Sequence, residues 1–270
     1  MQKFNLHTHS TFSDGKDSIE DIVLEAQKLG LTSVGISDHF RLSPPSPKKL
    51  KLENIDLYCK TIDIVSFKHH FPVFKGLEFD LPLSPEEKAT CSAIKKQFHF
   101  DYFIGSVHPS DKNYQAWNVS TSDPIHKIIE HHHLYWQDIE KLALNPDIDI
   151  MGHLDYIKSS GIKTEHLLWP KIESILQIIK QTNKIVEINT SGLFSPQVRE
   201  MYPSSKIITR CEELQIPMIF SSDAHAKENL TRGFTLEKLQ QHRTYGINNM
   251  VNMLPFTHQN IIQARMEHEK

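Results

Sequence analysis

The stretch KFNLHTHSTFSDGKDSIEDIVLEAQKLGLTSVGISDH, residues 3–39, places an amphipathic segment between two short apolar ones. The central part, residues 18–30, repeats apolar residues at helical spacing, begins at a pair, Ser18 and Asp21, that resembles a capping box, and stops at Gly30. The flanking segments, 3–7 and 32–39, have the length of strands. The stretch therefore predicts a strand, a helix and a second strand.

The same alternation continues along the chain. Five further strand candidates follow, at residues 72–79, 101–108, 148–155, 184–192 and 217–225. Helical patterns lie at 125–142, at 171–181 after a start signal at Trp169 and Pro170, and at 204–214 with Ser204 as the cap. Seven strands alternating with helices imply a parallel sheet, either open and doubly wound or closed into a barrel. The Pro-, Lys- and Ser-rich piece at 42–54 predicts a long surface excursion.

Length and composition narrow the class of protein. The 270 residues suit one large α/β domain or two small ones, and nothing indicates a second core. Lys and Arg total 30 against 33 for Asp and Glu, so the net charge of −3 gives no sign of a nucleic-acid partner. Apolar runs are too short for a membrane span and the N-terminus lacks a signal-peptide pattern, which predicts a cytoplasmic protein. Three widely spaced cysteines, Cys59, Cys91 and Cys211, are expected to be reduced and structural.

Potential metal ligands end every predicted strand. Residues two apart on a strand share a face, and parallel α/β folds hold their active sites at the C-terminal strand ends. Imidazoles mixed with carboxylates, and no thiolate, suit Zn, Mn or Fe at catalytic sites, and the ligands are too many for one ion. In chain order the candidates are His7, His9, Asp14, Asp38, His39, Glu78, His108, His153, Asp155, Glu187, Asn189, Asp223 and His225.

Each group alone also has a structural interpretation. A lone His-x-His pair is more often incidental, and Asp38 and His39 diverge, so at most one of them faces a site. Coincidence at seven consecutive strand ends is hard to credit, and together they favour metal binding. The run 131–133 lies instead in a helical pattern, where His132 falls on the apolar face, and it is assigned to packing and solvent. The loop pair at 69–70 is assigned in the same way.

Six of these motifs, in this order, resemble the successive metal-binding motifs of the PHP (polymerase and histidinol phosphatase) superfamily. They are HTHSTFSDG (7–15), ISDHF (36–40), GLEFD (76–80), GSVHP (105–109), GHLDYI (152–157) and SSDAH (221–225). The order, the length, and the segments MGHLDYIK and EINTSGLF followed by YPS are similar to the histidinol-phosphatase branch in particular.

The resemblance implies a single α/β domain, residues 1–270, folded as a distorted TIM-like (β/α)7 barrel with three divalent ions. One ion would be held by His7, His9, Glu78 and Asp223, a second by Glu78, His108 and His153, and a third by Asp14, His39 and His225. Glu78 would bridge two ions. Some members carry histidine at the position of Asp14, which leaves the occupancy of the third site and the identity of its metal open.

The implied activity is metal-dependent hydrolysis of a small phosphate monoester, L-histidinol phosphate, to L-histidinol and inorganic phosphate. Divalent ions activate a water and neutralise phosphoryl oxygens, while Asp223 or His225 would donate the proton to the leaving group. Arg199, in the segment after the sixth predicted strand, is a candidate phosphate-binding residue because a guanidinium grips two oxygens at once. The alternatives are another PHP phosphoesterase, acting on nucleotides or short oligonucleotides, and a non-catalytic PHP module. The oligomeric state is not predicted.

Overall fold

Strands and helices alternate through residues 4–42, 48–80, 84–108 and 119–234, the part of the chain that the computed structural model describes. The strands are β1 (Phe4–Asn5), β2 (Ser33–Ile36), β3 (His39–Phe40), β4 (Val73–Asp80), β5 (Tyr102–Ser106), β6 (Ile150–Met151), β7 (Ile185–Asn189) and β8 (Met218–Ser221). The helices are α1 (Ile19–Lys28), α2 (Ile55–Lys68), α3 (Pro85–Gln97), α4 (Ile125–Ala143), α5 (Glu165–Gln181) and α6 (Ser205–Glu213). The predicted domain runs to residue 270, and its last part, 235–270, lies outside the described residues.

The parallel strands close into a barrel. They pair in the order β1-β2-β4-β5-β6-β7-β8, and a parallel bridge between Thr8 and Ala224 joins the two outer strands. At this seam the His9 N–H donates to the Ala224 carbonyl at 2.9 Å, and the Ala224 N–H donates to the His7 carbonyl at 3.1 Å. The fold is therefore a nearly closed seven-stranded barrel, as the family resemblance implied, and not an open doubly wound sheet.

The predicted strand at 32–39 is divided into β2 and β3, and both halves pair with β4 in one register. Val34 lies opposite Val73, and His39 lies opposite Glu78. Between the halves, the Ser37 N–H donates a hydrogen bond to the Thr8 carbonyl at 2.8 Å. The interruption thus connects β3 to the neighbouring strand while it keeps the register that places His39 beside Glu78.

The barrel interior is apolar at its base and polar at its C-terminal mouth. Because residues two or four apart on a strand share a face, Glu78 lies above Phe74 and Glu187 above Ile185. The polar side chains of the mouth are thus mounted on a packed base. The buried residues of this base are Phe4, Leu6, Phe74, Tyr102, Ile104, Ile150, Ile185 and Ile219.

Two predicted helices form with the expected caps. The Ser18 hydroxyl accepts from the Asp21 N–H at 3.1 Å at the start of α1, and Ser204 accepts from the Ile207 N–H at 3.4 Å at the start of α6. The predicted apolar face of α1 is buried against the barrel, at Ile19, Ile22, Val23 and Ala26. Local capping and periodicity therefore determine these two helices.

The predicted start of the helix at Trp169 and Pro170 is wrong. In α5 the proline lies inside the helix, which begins one turn earlier, at Glu165. Leu168 is buried four residues before the buried Ile172, so the packed face continues through the proline. Packing of this extra turn outweighs the backbone hydrogen bond that proline cannot donate.

The predicted surface excursion at 42–54 is only partly correct. Leu50 is buried, and its N–H donates to the His39 carbonyl at 2.8 Å, so this side chain anchors the segment to the barrel. A short 3-10 helix, Leu52–Asn54, then leads into α2. Residues 43–47 lie outside the described part of the chain.

Two expectations from composition can be compared with the fold. All three cysteines are buried thiols and not disulfide partners. Among the described residues, no helix has both the length and the apolar character needed to cross a bilayer.

Candidate metal centre

The nine predicted ligands converge at the C-terminal mouth of the barrel. Their ligand atoms form overlapping groups in which all atoms lie within 4.8 Å of one another. These groups are His9, Asp14, His39 and His225; His7, His9 and Asp223; and His39, Glu78 and His108. The ninth residue, His153, lies beside them, with its Nε2 3.1 Å from Glu78 Oε1. How the residues are shared among three ions stays a prediction.

Glu78 lies at the centre of the cluster and is completely buried. One of its oxygens, Oε2, lies 2.7 Å from His39 Nδ1, while the other, Oε1, lies 3.4 Å from His7 Nε2. The two oxygens thus face imidazoles from different strands. This arrangement is suited to the bridging role expected for Glu78.

Asp14 belongs to the group that also contains His9, His39 and His225. It is the position at which some members of the family carry histidine. Its Oδ1 lies 3.3 Å from His225 Nε2 and 3.7 Å from His39 Nε2. The loop that carries it is held by Asp38, which accepts from the Ser10 N–H at 2.8 Å. Of the adjacent pair at the end of the second predicted strand, His39 therefore faces the cluster and Asp38 supports it.

Two carboxylates outside the predicted ligand set orient the histidines. Glu187 Oε1 lies 2.5 Å from His7 Nδ1, and Asp80 Oδ1 lies 2.5 Å from His108 Nδ1. In both histidines the other ring nitrogen, Nε2, then faces Glu78. Carboxylates that hold metal-binding imidazoles in this way set the tautomer and the direction of the lone pair.

Sequence reasoning included Glu187 among the strand-end candidates but gave it no role, and it missed Asp80. A signal for Asp80 existed, because it lies two residues after Glu78 on β4 and so shares its face. The other two strand-end candidates also have supporting roles. Asn189 Nδ2 donates to Glu187 Oε2 at 3.1 Å, and Asp155 Oδ2 accepts from the Ser204 N–H at 2.9 Å.

The electrostatics place His9 and Glu78 in their metal-binding protonation states, whereas the carboxylates around His7 raise its pKa well above the usual value against the effect of burial, and so favour its protonated form. Burial, with the nearby imidazoles of His39 and His225, lowers the pKa of His9 to about 3. Burial alone would raise the pKa of Glu78, but the imidazoles of His39 and His7 outweigh it and hold that pKa well below its usual value. Neutral imidazoles and ionised carboxylates are the forms that coordinate metals.

The donor set fits divalent ions. Three buried atoms that face the cluster, His7 Nε2, Glu78 Oε2 and Asp14 Oδ1, have no hydrogen-bond partner among the described residues. Buried polar atoms without a partner are rare in folded proteins, and each one calls for a physical reason. Coordination by a cation would satisfy lone pairs of this kind where no protein donor reaches them.

The remaining sequence candidates lie apart from these groups. Arg199 is exposed in the loop after β7, and its Nε donates to the Pro196 carbonyl at 3.1 Å. His132 is buried in α4, where its Nδ1 lies 2.6 Å from Thr164 Oγ1, and His69 Nε2 lies 2.7 Å from Glu20 Oε1. Residues 69–70 and 131–133 belong to none of the candidate metal groups.

A parallel barrel with a buried His, Asp and Glu cluster at the C-terminal ends of its strands defines a class of metal-binding α/β proteins. Within that class, the chain belongs to the PHP domain family, whose family model matches residues 5–191. The matched segment contains seven of the nine predicted ligands. Asp223 and His225 follow it.

Individual relatives agree with this family. A protein from Thermotoga maritima named "Probable histidinol-phosphatase" is 26% identical over 85% of this chain and 87% of its own length. A Bacillus subtilis protein named "DNA polymerase/3'-5' exonuclease PolX" is 22% identical over 84% of this chain and 35% of its own length. The crystal structure of histidinol phosphate phosphatase from Lactococcus lactis, complexed with zinc, L-histidinol and phosphate, has a TM-score of 0.69. It is 21% identical and covers 90% of this chain and 92% of its own, and at that identity the likeness concerns the fold alone.

Proposed function

We propose that this protein is a metal-dependent phosphomonoesterase that hydrolyses L-histidinol phosphate to L-histidinol and inorganic phosphate. The observation that carries the proposal is the convergence of nine potential ligands at the mouth of one PHP barrel. The relative from Thermotoga maritima and the zinc, histidinol and phosphate of the Lactococcus lactis structure support this choice of substrate.

Within this proposal the chain's own residues have distinct tasks. Bound divalent ions, whether zinc, manganese or iron, would supply an acidified water and neutralise the phosphoryl oxygens. Glu78, between imidazoles of different strands, would be shared by two neighbouring ions. Asp223 or His225, at the end of β8, would donate a proton to the leaving oxygen. Against the effect of burial, the Asp14 and Asp223 carboxylates raise the pKa of His225 to about 8, whereas the pKa of Asp223 lies well below its usual value, which favours His225 as the donor. Arg199 would contact the phosphate from the loop after β7.

Another PHP phosphoesterase activity is the second candidate, favoured by the similarity to a polymerase with exonuclease activity in its name. The net charge of −3 favours a small monoester over a polynucleotide, because binding to a polyphosphate backbone requires a basic surface. The two candidates differ in the size of the group that leaves the phosphate.

One assay separates these activities. The protein is stripped with a chelator, reloaded with zinc or manganese, and supplied with L-histidinol phosphate, mononucleotides or short oligonucleotides. We expect no turnover without metal and the highest kcat/KM for L-histidinol phosphate. A higher kcat/KM for nucleotides or oligonucleotides would support the second candidate, and full activity without metal would contradict both.

A further inference from the structure

Tyr156 lies against the metal centre, although no role has been assigned to it so far. It follows His153 by three residues, at the start of a short 3-10 helix, Tyr156–Ser160. Its ring centroid lies 4.7 Å from that of His153 and 5.4 Å from that of His108. The phenol ring thus packs on two of the predicted ligands at once.

The backbone around Tyr156 is held firmly. Its N–H donates to the Tyr135 hydroxyl at 3.0 Å, and its ring lies 5.1 Å from the ring of Tyr202. Two residues later, buried Lys158 donates to the Met201 carbonyl at 2.7 Å and so ties the loop after β6 to the loop after β7. The position of the ring is therefore determined by the fold before any ligand arrives.

The hydroxyl of Tyr156 is different, because no hydrogen bond to it is found among the described residues. The side chain is only partly buried as a whole, and burial, with the nearby carboxylates of Asp223 and Glu78, raises the pKa of the hydroxyl and keeps it protonated. A phenol has an ordinary pKa near 10 and is a neutral donor at physiological pH.

A phosphate monoester at this centre needs such donors. It carries about two negative charges and three strongly accepting oxygens. Around Tyr156 the carboxylates of the cluster repel those oxygens, and the imidazoles of His153 and His108 are predicted metal ligands. The phenol of Tyr156 can donate a hydrogen bond without being committed to an ion.

We propose that Tyr156 is a substrate-binding residue whose hydroxyl donates a hydrogen bond to a phosphoryl oxygen, on the non-bridging side of the ester. This inference rests on the proposed phosphatase function. It assigns to Tyr156 recognition of the phosphoryl group that all substrates share, and not of the alcohol that distinguishes them.

The test is Tyr156→Phe, which retains the ring and removes only the hydroxyl. In zinc-loaded protein we expect calorimetry to show inorganic phosphate binding weakened about 10-fold, as for loss of a hydrogen bond to a charged group. We expect kcat/KM to fall by a factor on the order of 10 to 100, equally for L-histidinol phosphate and for p-nitrophenyl phosphate. Zinc content should not change. Ser159→Ala, which removes a hydroxyl from the same 3-10 helix, is the matched control and should bind phosphate as the wild type does.

Three outcomes would overturn the assignment. They are wild-type phosphate affinity in Tyr156→Phe, absence of phosphate binding by the wild-type protein, and a loss confined to one of the two esters, which would place the contact on the leaving alcohol. The proposed function fails separately, if the wild-type protein hydrolyses no monoester. In that case the phosphate titration still decides whether Tyr156 binds the anion.

Discussion

At the residue scale, Glu78 has the largest number of close imidazole neighbours in the cluster. Glu78→Gln replaces the carboxylate by a neutral amide, which would compensate the repulsion between two cations poorly. We expect loss of bound metal together with loss of turnover, measured by elemental analysis and phosphate release on the same samples. A variant that retains three ions and near-normal turnover would show that Glu78 does not bridge.

Glu187→Gln should reduce metal binding less than Glu78→Gln does, because Glu187 contacts the ligand His7 and is not itself a predicted ligand. Supporting carboxylates of this kind change metal affinity by about 10- to 100-fold. We therefore expect weakened binding that excess zinc restores, whereas excess zinc should not rescue Glu78→Gln. Equal rescue of both variants would contradict the different places given to the two carboxylates.

Arg199, exposed in the loop after β7, is the residue proposed to contact the phosphate. If it grips the phosphate, Arg199→Ala should lower kcat/KM by roughly 100-fold, about 3 kcal/mol, with metal content intact. Arg199→Lys should recover only part of this loss, because lysine returns the charge without the planar fork. A kinetically silent Arg199→Ala would remove this residue from the site.

At the scale of elements, α4 packs on the start of α5 through a buried histidine, His132. Burial, with the neighbouring His131, lowers its pKa to about 4, whereas in the unfolded chain the value is near 6.5. As pH falls from about 6.5 to 4, the unfolded state takes up this proton and the folded state does not. This residue alone should therefore lower the free energy of unfolding by up to about 1.4 kcal/mol per pH unit in that window.

The measurement is urea unfolding of chelator-treated protein at several pH values between 7 and 4.5. His132→Gln should show a flatter dependence on pH than the wild type, whatever its stability at pH 7. His166→Gln, a change at an exposed position on α5, is the control and should follow the wild-type curve. Parallel curves for the wild type and His132→Gln would contradict the prediction.

The helices show where local reasoning succeeds and where it stops. The positions of α1 and α6 could be predicted because their caps, Ser18 and Ser204, act on their own first turns. The start of α5 could not, because Pro170 is a local start signal, and the helix begins before it since Leu168 is buried against other elements. The local sequence does not predict that long-range contact.

At the scale of the whole molecule, the strand ends could be predicted because each ligand follows a buried apolar run. The choice between barrel and open sheet could not be made from pattern alone, since the hydrogen bonds at Thr8 and Ala224 join distant parts of the chain. Glu187 was recognised as a strand-end group, but its contact with His7 depends on barrel geometry that no local pattern records.

Metal removal is expected to weaken the whole fold. Ligands from nearly every strand converge on the centre, so ions bind the folded barrel and not the unfolded chain. Free metal at 100 times its Kd would stabilise the protein by about 2.7 kcal/mol. We expect the Tm, measured by circular dichroism, to fall on chelation and to rise with added zinc.

Glu78→Gln is the matched control for this measurement and should show a much smaller rise in Tm with zinc. A wild-type Tm that does not depend on zinc would mean that the barrel is complete without its ions.

The seam of the barrel also determines the order in which this centre is assembled. His9 Nε2 lies 3.1 Å from Asp223 Oδ1, although the two residues are 214 positions apart. Synthesis from the N-terminus produces His7 and His9 long before Asp223 and His225, so the early histidines lack these partners while the intervening strands are made. The full set of ions can therefore bind only after β8 has docked beside β1. A fully metal-loaded protein is then one in which all strands of the barrel have been synthesised and folded.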